Sequence, residues 1–204
     1  GGGEESYDMA ALYYSQKCEC PDAIRKPIFI FVGDEGIYET VDRVVAENIC
    51  HIPLKGVVQS SSVFEALKEK FNVYIIRKPY GGTEENPSSD EVKIRNQWRK
   101  FLGEDHVISL ADPERVVDVI YGIIAKESGK EDYFLKELKE RQLKDDGGDV
   151  KVAVVLKSLH SIHSKKGSVK KLPPPARAKS ITRRDKKSPP SSGLGGMVDL
   201  GDDD

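Results

Sequence analysis

The spacing of apolar positions changes repeatedly along the chain, and each change predicts an element. In residues 5–16, Met9, Ala10, Leu12 and Tyr13 recur near the helical period behind a Gly-rich start, which predicts a helix. Residues 18–26 are polar and contain Pro21, so they predict a connection. Ile28-Phe29-Ile30-Phe31-Val32 follows Pro27 and ends at Gly33. A continuous run of apolar, mostly β-prone residues predicts a strand buried on both faces, as in a parallel sheet. Residues 41–48 predict a short helix with Thr40 or Glu39 near its start. Residues 63–71 predict another, with Phe64, Leu67 and Phe71 on one face and Ser60, Ser61 and Ser62 as caps. Val73-Tyr74-Ile75-Ile76 is the next strand, and residues 80–89 form a turn-rich loop. Val92, Ile94, Trp98, Phe101 and Leu102 mark a helix over 90–102, stopped by Gly103. Val107-Ile108-Ser109-Leu110 is a third strand. Asp112 and Pro113 are the cap and first residue of a helix running to 125.

Strand and helix patterns thus alternate, which predicts an α/β fold with a Rossmann-like, mainly parallel sheet. Three strands leave open edges. Together with the Gly1-Gly2-Gly3 start, this leads us to expect a sheet truncated at its N-terminal side and a chain that is part of a longer protein. Beyond residue 126 the pattern predicts a helical extension over 127–164. A charged helix over 131–142 offers Tyr133, Phe134 and Leu138 for docking, and Gly147-Gly148 breaks it. Residues 150–162 have helical spacing, although their Val-rich start also suits a strand.

Composition alters the picture mainly at the end of the chain. Net charge is −2, so charge as a whole gives no argument for nucleic acid. The distribution is uneven: residues 165–187 are strongly basic, and Asp199 with Asp202, Asp203 and Asp204 makes the end acidic. Residues 165–204, rich in Lys, Arg, Ser and Pro, are expected to be a disordered tail. Such a tail touches nucleic acid only weakly, by charge, and it lacks interleaved aromatics for stacking. Gly196-Met197-Val198-Asp199-Leu200 has the form of a short docking motif. Cys18, Cys20 and Cys50 are an odd set without a signal peptide, which suggests reduced thiols and a cytoplasmic location. No apolar run is long enough to span a bilayer, so no membrane role is expected.

The order of motifs over residues 1–126 resembles the C-terminal part of von Willebrand factor type A domains, especially intracellular ones. Gly1-Gly2-Gly3-Glu4-Glu5-Ser6-Tyr7 and its helix resemble that family's Gly-rich middle loop. The strand at 28–32 with Gly33-Asp34-Glu35-Gly36 resembles the next strand and its Asp-Gly turn. The strands at 73–76 and 107–110, with Asp112-Pro113-Glu114, resemble the last two strands and the closing helix. The resemblance implies a doubly wound sheet with helices on both faces, and a ligand site at the carboxyl ends of the strands. It implies a metal-ion-dependent adhesion site, in which Mg²⁺ on hard oxygen ligands bridges to a partner carboxylate. Asp34 matches the family's late metal-binding Asp. The family's Asp-x-Ser-x-Ser loop has no counterpart here, so the site is incomplete. Gly3 and Glu4 stand where a Thr is usual, with Glu4 or Glu5 as an acidic stand-in. Gly3, Glu4, Glu35 and Tyr80 are expected to form the partner-binding rim, Tyr80 from a long loop of the kind that often carries binding.

The resemblance therefore implies a protein-interaction adaptor rather than an enzyme, with an AAA-type ATPase as the partner class. The alternative is a Rossmann-like nucleotide-binding domain or Mg-dependent enzyme, with Asp34 and Glu35 as acid/base groups or Mg²⁺-phosphate ligands. Against that alternative, there is no Gly-x-Gly-x-x-Gly, no phosphate-loop Lys and no glycine elbow around Ser60 to Ser62. A third reading is a structural domain with a degenerate site. Cys18-x-Cys20 with Cys50-His51 offers the ligand types that suit zinc. Their spacing is tighter than usual, which favours free cysteines. His160 and His163 lack a nearby third ligand.

Overall fold

The alternation of apolar runs folds as it predicts, into parallel strands separated by helices. The computed structural model describes residues 3–79, 86–144 and 147–162, and these belong to one unit, Gly1–Gly167. In chain order the elements are β1 (Glu4–Glu5), α1 (Tyr7–Lys17), β2 (Ile28–Gly33), β3 (Gly36–Ile37), α2 (Arg43–Asn48), α3 (Ser60–Lys70), β4 (Asn72–Arg77), α4 (Ser89–Leu102), β5 (Val107–Ser109), α5 (Val116–Ser128), α6 (Glu131–Gln142) and α7 (Gly148–Ser158). The main sheet has the order β2-β4-β5, all parallel, and β1 pairs with β3 in a second, two-stranded sheet.

Strand alternation divides the core in two. In β4, Val73 and Ile75 point into one cluster with Leu12, Phe31, Phe64, Leu67 and Trp98, contributed by α1, β2, α3 and α4. Tyr74 and Ile76 point to the opposite cluster, with Val119, Ile123, Leu138, Val155 and Leu159 from α5, α6 and α7. Period-two alternation on a central strand requires this result when both faces are covered. Helices therefore lie on both faces of a mainly parallel sheet, an arrangement compatible with a Rossmann-like fold.

Several details differ from the sequence pattern. Burial on both faces belongs to β4, not to β2. Among the described residues β2 has a strand neighbour on one side only. Ile28, Phe29 and Ile30 are half-buried, and Val32 is 54% exposed. Ser60 to Ser62 lie inside the first turn of α3 instead of capping it: Gln59 is the cap, and Ser62 Oγ donates back to its carbonyl at 2.7 Å. The start of α2 is capped by Asp42, whose Oδ1 accepts from Val45 N at 3.0 Å. Asp112 does cap, but it caps a short 3₁₀ turn that precedes α5. The Val-rich stretch after Gly148 is helical, as α7. Gly122 of α5 lets the α7 end approach, since a Cβ there would lie 2.2 Å from Leu159 Cδ1.

Among the described residues no helix is long and apolar enough to cross a membrane. The basic and acidic tail at 165–204, including the 196–200 motif, lies outside the described residues, as do Tyr80 and His163.

Candidate functional site

The carboxyl ends of β2 and β4 build the site. β2 ends at Gly33, where the backbone passes under the Tyr7 ring. A Cβ at Gly33 would sit 1.8 Å from the Tyr7 hydroxyl oxygen, so any larger residue displaces that ring. The chain then turns through Asp34 and Glu35 into β3. There it meets the N-terminal segment, with Glu4 opposite Gly36 and Gly36 N donating to Gly3 O at 2.9 Å. Gly3 has φ of 75°, the left-handed region that glycine tolerates. Its open side faces Glu35, whose Oε2 would be 3.8 Å from a Cβ there. Gly3, Glu4, Asp34 and Glu35 are thus neighbours.

Side chains from distant elements fasten this loop by its backbone. Arg77 Nη2 donates to Asp34 O at 2.6 Å. Trp98 Nε1 donates to Glu35 O at 2.9 Å. Gln97 makes a reciprocal pair with Ile37, accepting from its N–H at 2.8 Å and donating to its carbonyl at 2.7 Å. Arg77 itself is fixed by a two-pronged ion pair with Glu91, at 2.9 and 3.0 Å, both side chains almost fully buried. The sequence pattern marked Trp98 as core, but it gave no sign of Arg77, Gln97 or Tyr7 as supports of the loop.

The electrostatics are acidic. Asp34 and Glu4 are exposed, while Glu35 is half-buried with Oε2 lacking a hydrogen-bond partner. Burial, and then the carboxylates of Glu5 and Asp34, push the Tyr7 hydroxyl well above its ordinary pKa. The phenol therefore stays protonated beside the acids and cannot serve as a base.

Among the described residues, no group of three or more His, Cys, Asp or Glu is placed to hold a metal ion. Asp34 therefore lacks a described set of co-ligands of that size. The three cysteines are free thiols: Cys50 buried, Cys18 half-buried and Cys20 exposed. Set beside known proteins, the chain matches no family model, no curated protein and no solved structure.

Proposed function

We propose that this chain is a protein-interaction module whose binding rim is the acidic edge formed by Gly3, Glu4, Asp34 and Glu35. The reading rests on its resemblance to von Willebrand type A domains. The observation that supports it best is the backbone clamp on the 33–37 loop, made by Arg77, Gln97 and Trp98. A loop held in this way has lost its conformational freedom before a partner arrives, so docking costs less ordering entropy. Meanwhile the Asp34 carboxylate faces solvent, available to a partner.

The residues present do not by themselves make a cation site, since no group of three or more His, Cys, Asp or Glu is placed around Asp34 among the described residues. A divalent cation enters the proposal as a bridge between Asp34 and a partner's acidic side chain. Mg²⁺ is the ion to test, because it keeps several waters and binds through one or two carboxylates. The partner class is the AAA-type ATPases, on the same resemblance.

The test is capture of a purified AAA-type ATPase by the full chain, with and without Mg²⁺. Mg²⁺ is expected to strengthen capture, and Asp34→Ala to remove that gain. Mg²⁺-dependent capture that survives Asp34→Ala sinks the bridging role. A thermal-shift panel separates the enzyme reading: stabilisation by a nucleotide, with none from Mg²⁺ alone, would favour a nucleotide-binding domain instead.

A further inference from the structure

A second polar site lies on the other side of Arg77, and it does not depend on the acidic rim. A cavity of about 100 Å³ opens between α4, the β5 strand and the end of α7. Its lining includes four basic side chains, Arg77, Arg95, Arg99 and Lys157, against one acid, Glu91. Glu91 is committed to Arg77 in the buried pair at 2.9 Å. Arg99 shares its charge with the mostly exposed Glu104 at 3.1 Å. Arg95 has no ion pair with a described residue. Glu91, Arg95 and Arg99 stand four residues apart on α4, which places them along one helical face.

Donors without acceptors are the second observation. Arg77 is 2% exposed, yet its Nε has no hydrogen-bond partner. The Nε atoms of Arg95 and Arg99 and the Oγ of Ser161 are also buried and unpartnered, and all four residues line this cavity. A buried donor left unsatisfied costs about 1–3 kcal/mol. The residues that carry them line one void, where three guanidinium groups and a hydroxyl suit an acceptor with several oxygens. Guanidinium groups match tetrahedral oxyanions in geometry and charge.

Volume limits what can enter. The void measures about 100 Å³. It is well below the ~300–1,000 Å³ of sites that enclose drug-sized ligands. One phosphoryl group fits and a nucleotide does not. Two of its lining residues, Lys157 and His160, are exposed, so the cavity opens to solvent on their side and leaves room for a substituent on the phosphorus.

We propose that this cavity binds a single phosphoryl group, held chiefly by Arg95, Arg99 and Ser161 with Arg77 behind them. Inorganic phosphate and a small phosphomonoester share this chemistry, and the open mouth favours the monoester.

The full chain would be titrated with inorganic phosphate, O-phosphoserine and serine at constant ionic strength, balanced with chloride and followed by calorimetry and ³¹P resonance shift. Saturable binding of one or both phosphates, and none of serine, is expected. Tighter binding of O-phosphoserine assigns the monoester as the source, and tighter binding of inorganic phosphate assigns the free ion. Arg95→Gln should weaken binding by roughly tenfold or more, the loss of one charge-assisted contact. Ser161→Ala should weaken it by a smaller factor, and Lys93→Gln, on the exposed face of α4, should leave it unchanged. Circular dichroism checks each variant's fold, and Ser161→Ala decides alone if Arg95→Gln does not fold. No saturable binding, or folded variants that bind like the parent chain, overturns the proposal.

Discussion

Asp8 lies in the first turn of α1 with 1% of its surface exposed, and its Oδ1 has no hydrogen-bond partner. Burial pushes its pKa up from 3.8 to about 6, outweighing the backbone amides that favour the charged form, and the nearby Asp42 adds to the rise. The folded chain therefore binds more protons than the unfolded chain between those two values. The contribution of Asp8 to stability therefore falls as pH rises through that window and stays low above it, while Glu47 and Glu137, held low by Arg43 and Arg141, contribute in the opposite direction. A shift of this size corresponds to roughly 2–3 kcal/mol. Asp8→Asn keeps the shape and removes the titration. Its urea midpoint should exceed that of the parent chain at pH 7 and match it near pH 4. A variant whose midpoint differs from the parent's by the same amount at pH 4 and at pH 7 would show that Asp8 carries no such titration.

At the scale of elements, α4 ties the binding loop to the sheet. Its Gln97 satisfies both backbone groups of Ile37, a residue with no exposed surface. Gln97→Ala leaves a buried N–H and a buried carbonyl without partners, at about 1–3 kcal/mol each. Amide exchange at Gly36 and Ile37 should accelerate with little change at β4. Equal acceleration in both places would mean that the whole unit had loosened and that Gln97 is not a local clamp. The helix itself was legible, because Ile94, Trp98 and Leu102 repeat at helical spacing and Gly103, with φ of 92°, ends it. Its grip on the loop was not legible: Gln97 and Ile37 are 60 residues apart, and Arg77 and Asp34 are 43 apart. A bond from a side chain to a distant backbone leaves no periodic mark. The place of Asp34 in the turn after β2 was legible because a strand-ending Gly-Asp is a local signal. The serines at 60–62 differ from their expected capping role for a related reason: a cap depends on where the helix begins, and the Ser60 and Ser62 hydroxyls donate to carbonyls instead.

At the scale of the molecule, the second face of the sheet depends on helices that follow the βα alternation. α6, α7 and the residues just after α7 place Phe134, Leu138, Val152, Val155, Leu159 and Ile162 in the same cluster as Tyr74, Ile76, Ile108, Val119 and Ile123. A parallel strand such as β4 is apolar on both sides and cannot leave one side to water. Removing the chain after Gly129 would uncover that cluster. Each of the six lost side chains contributes about 1.5–3 kcal/mol by burial, so the total rivals the ~5–15 kcal/mol stability of an ordinary domain. The shortened chain should lose near-ultraviolet dichroism and two-state unfolding, and bind a hydrophobic dye. Leu138→Ala, a fully buried position in α6, should cost about 2–5 kcal/mol without abolishing cooperativity. Cooperative unfolding of the shortened chain at the parent midpoint would mean that α1 to α5 suffice. α6 and α7 would then be an appended layer, and the α7 side of the phosphoryl cavity would be separable from the sheet that carries Arg77.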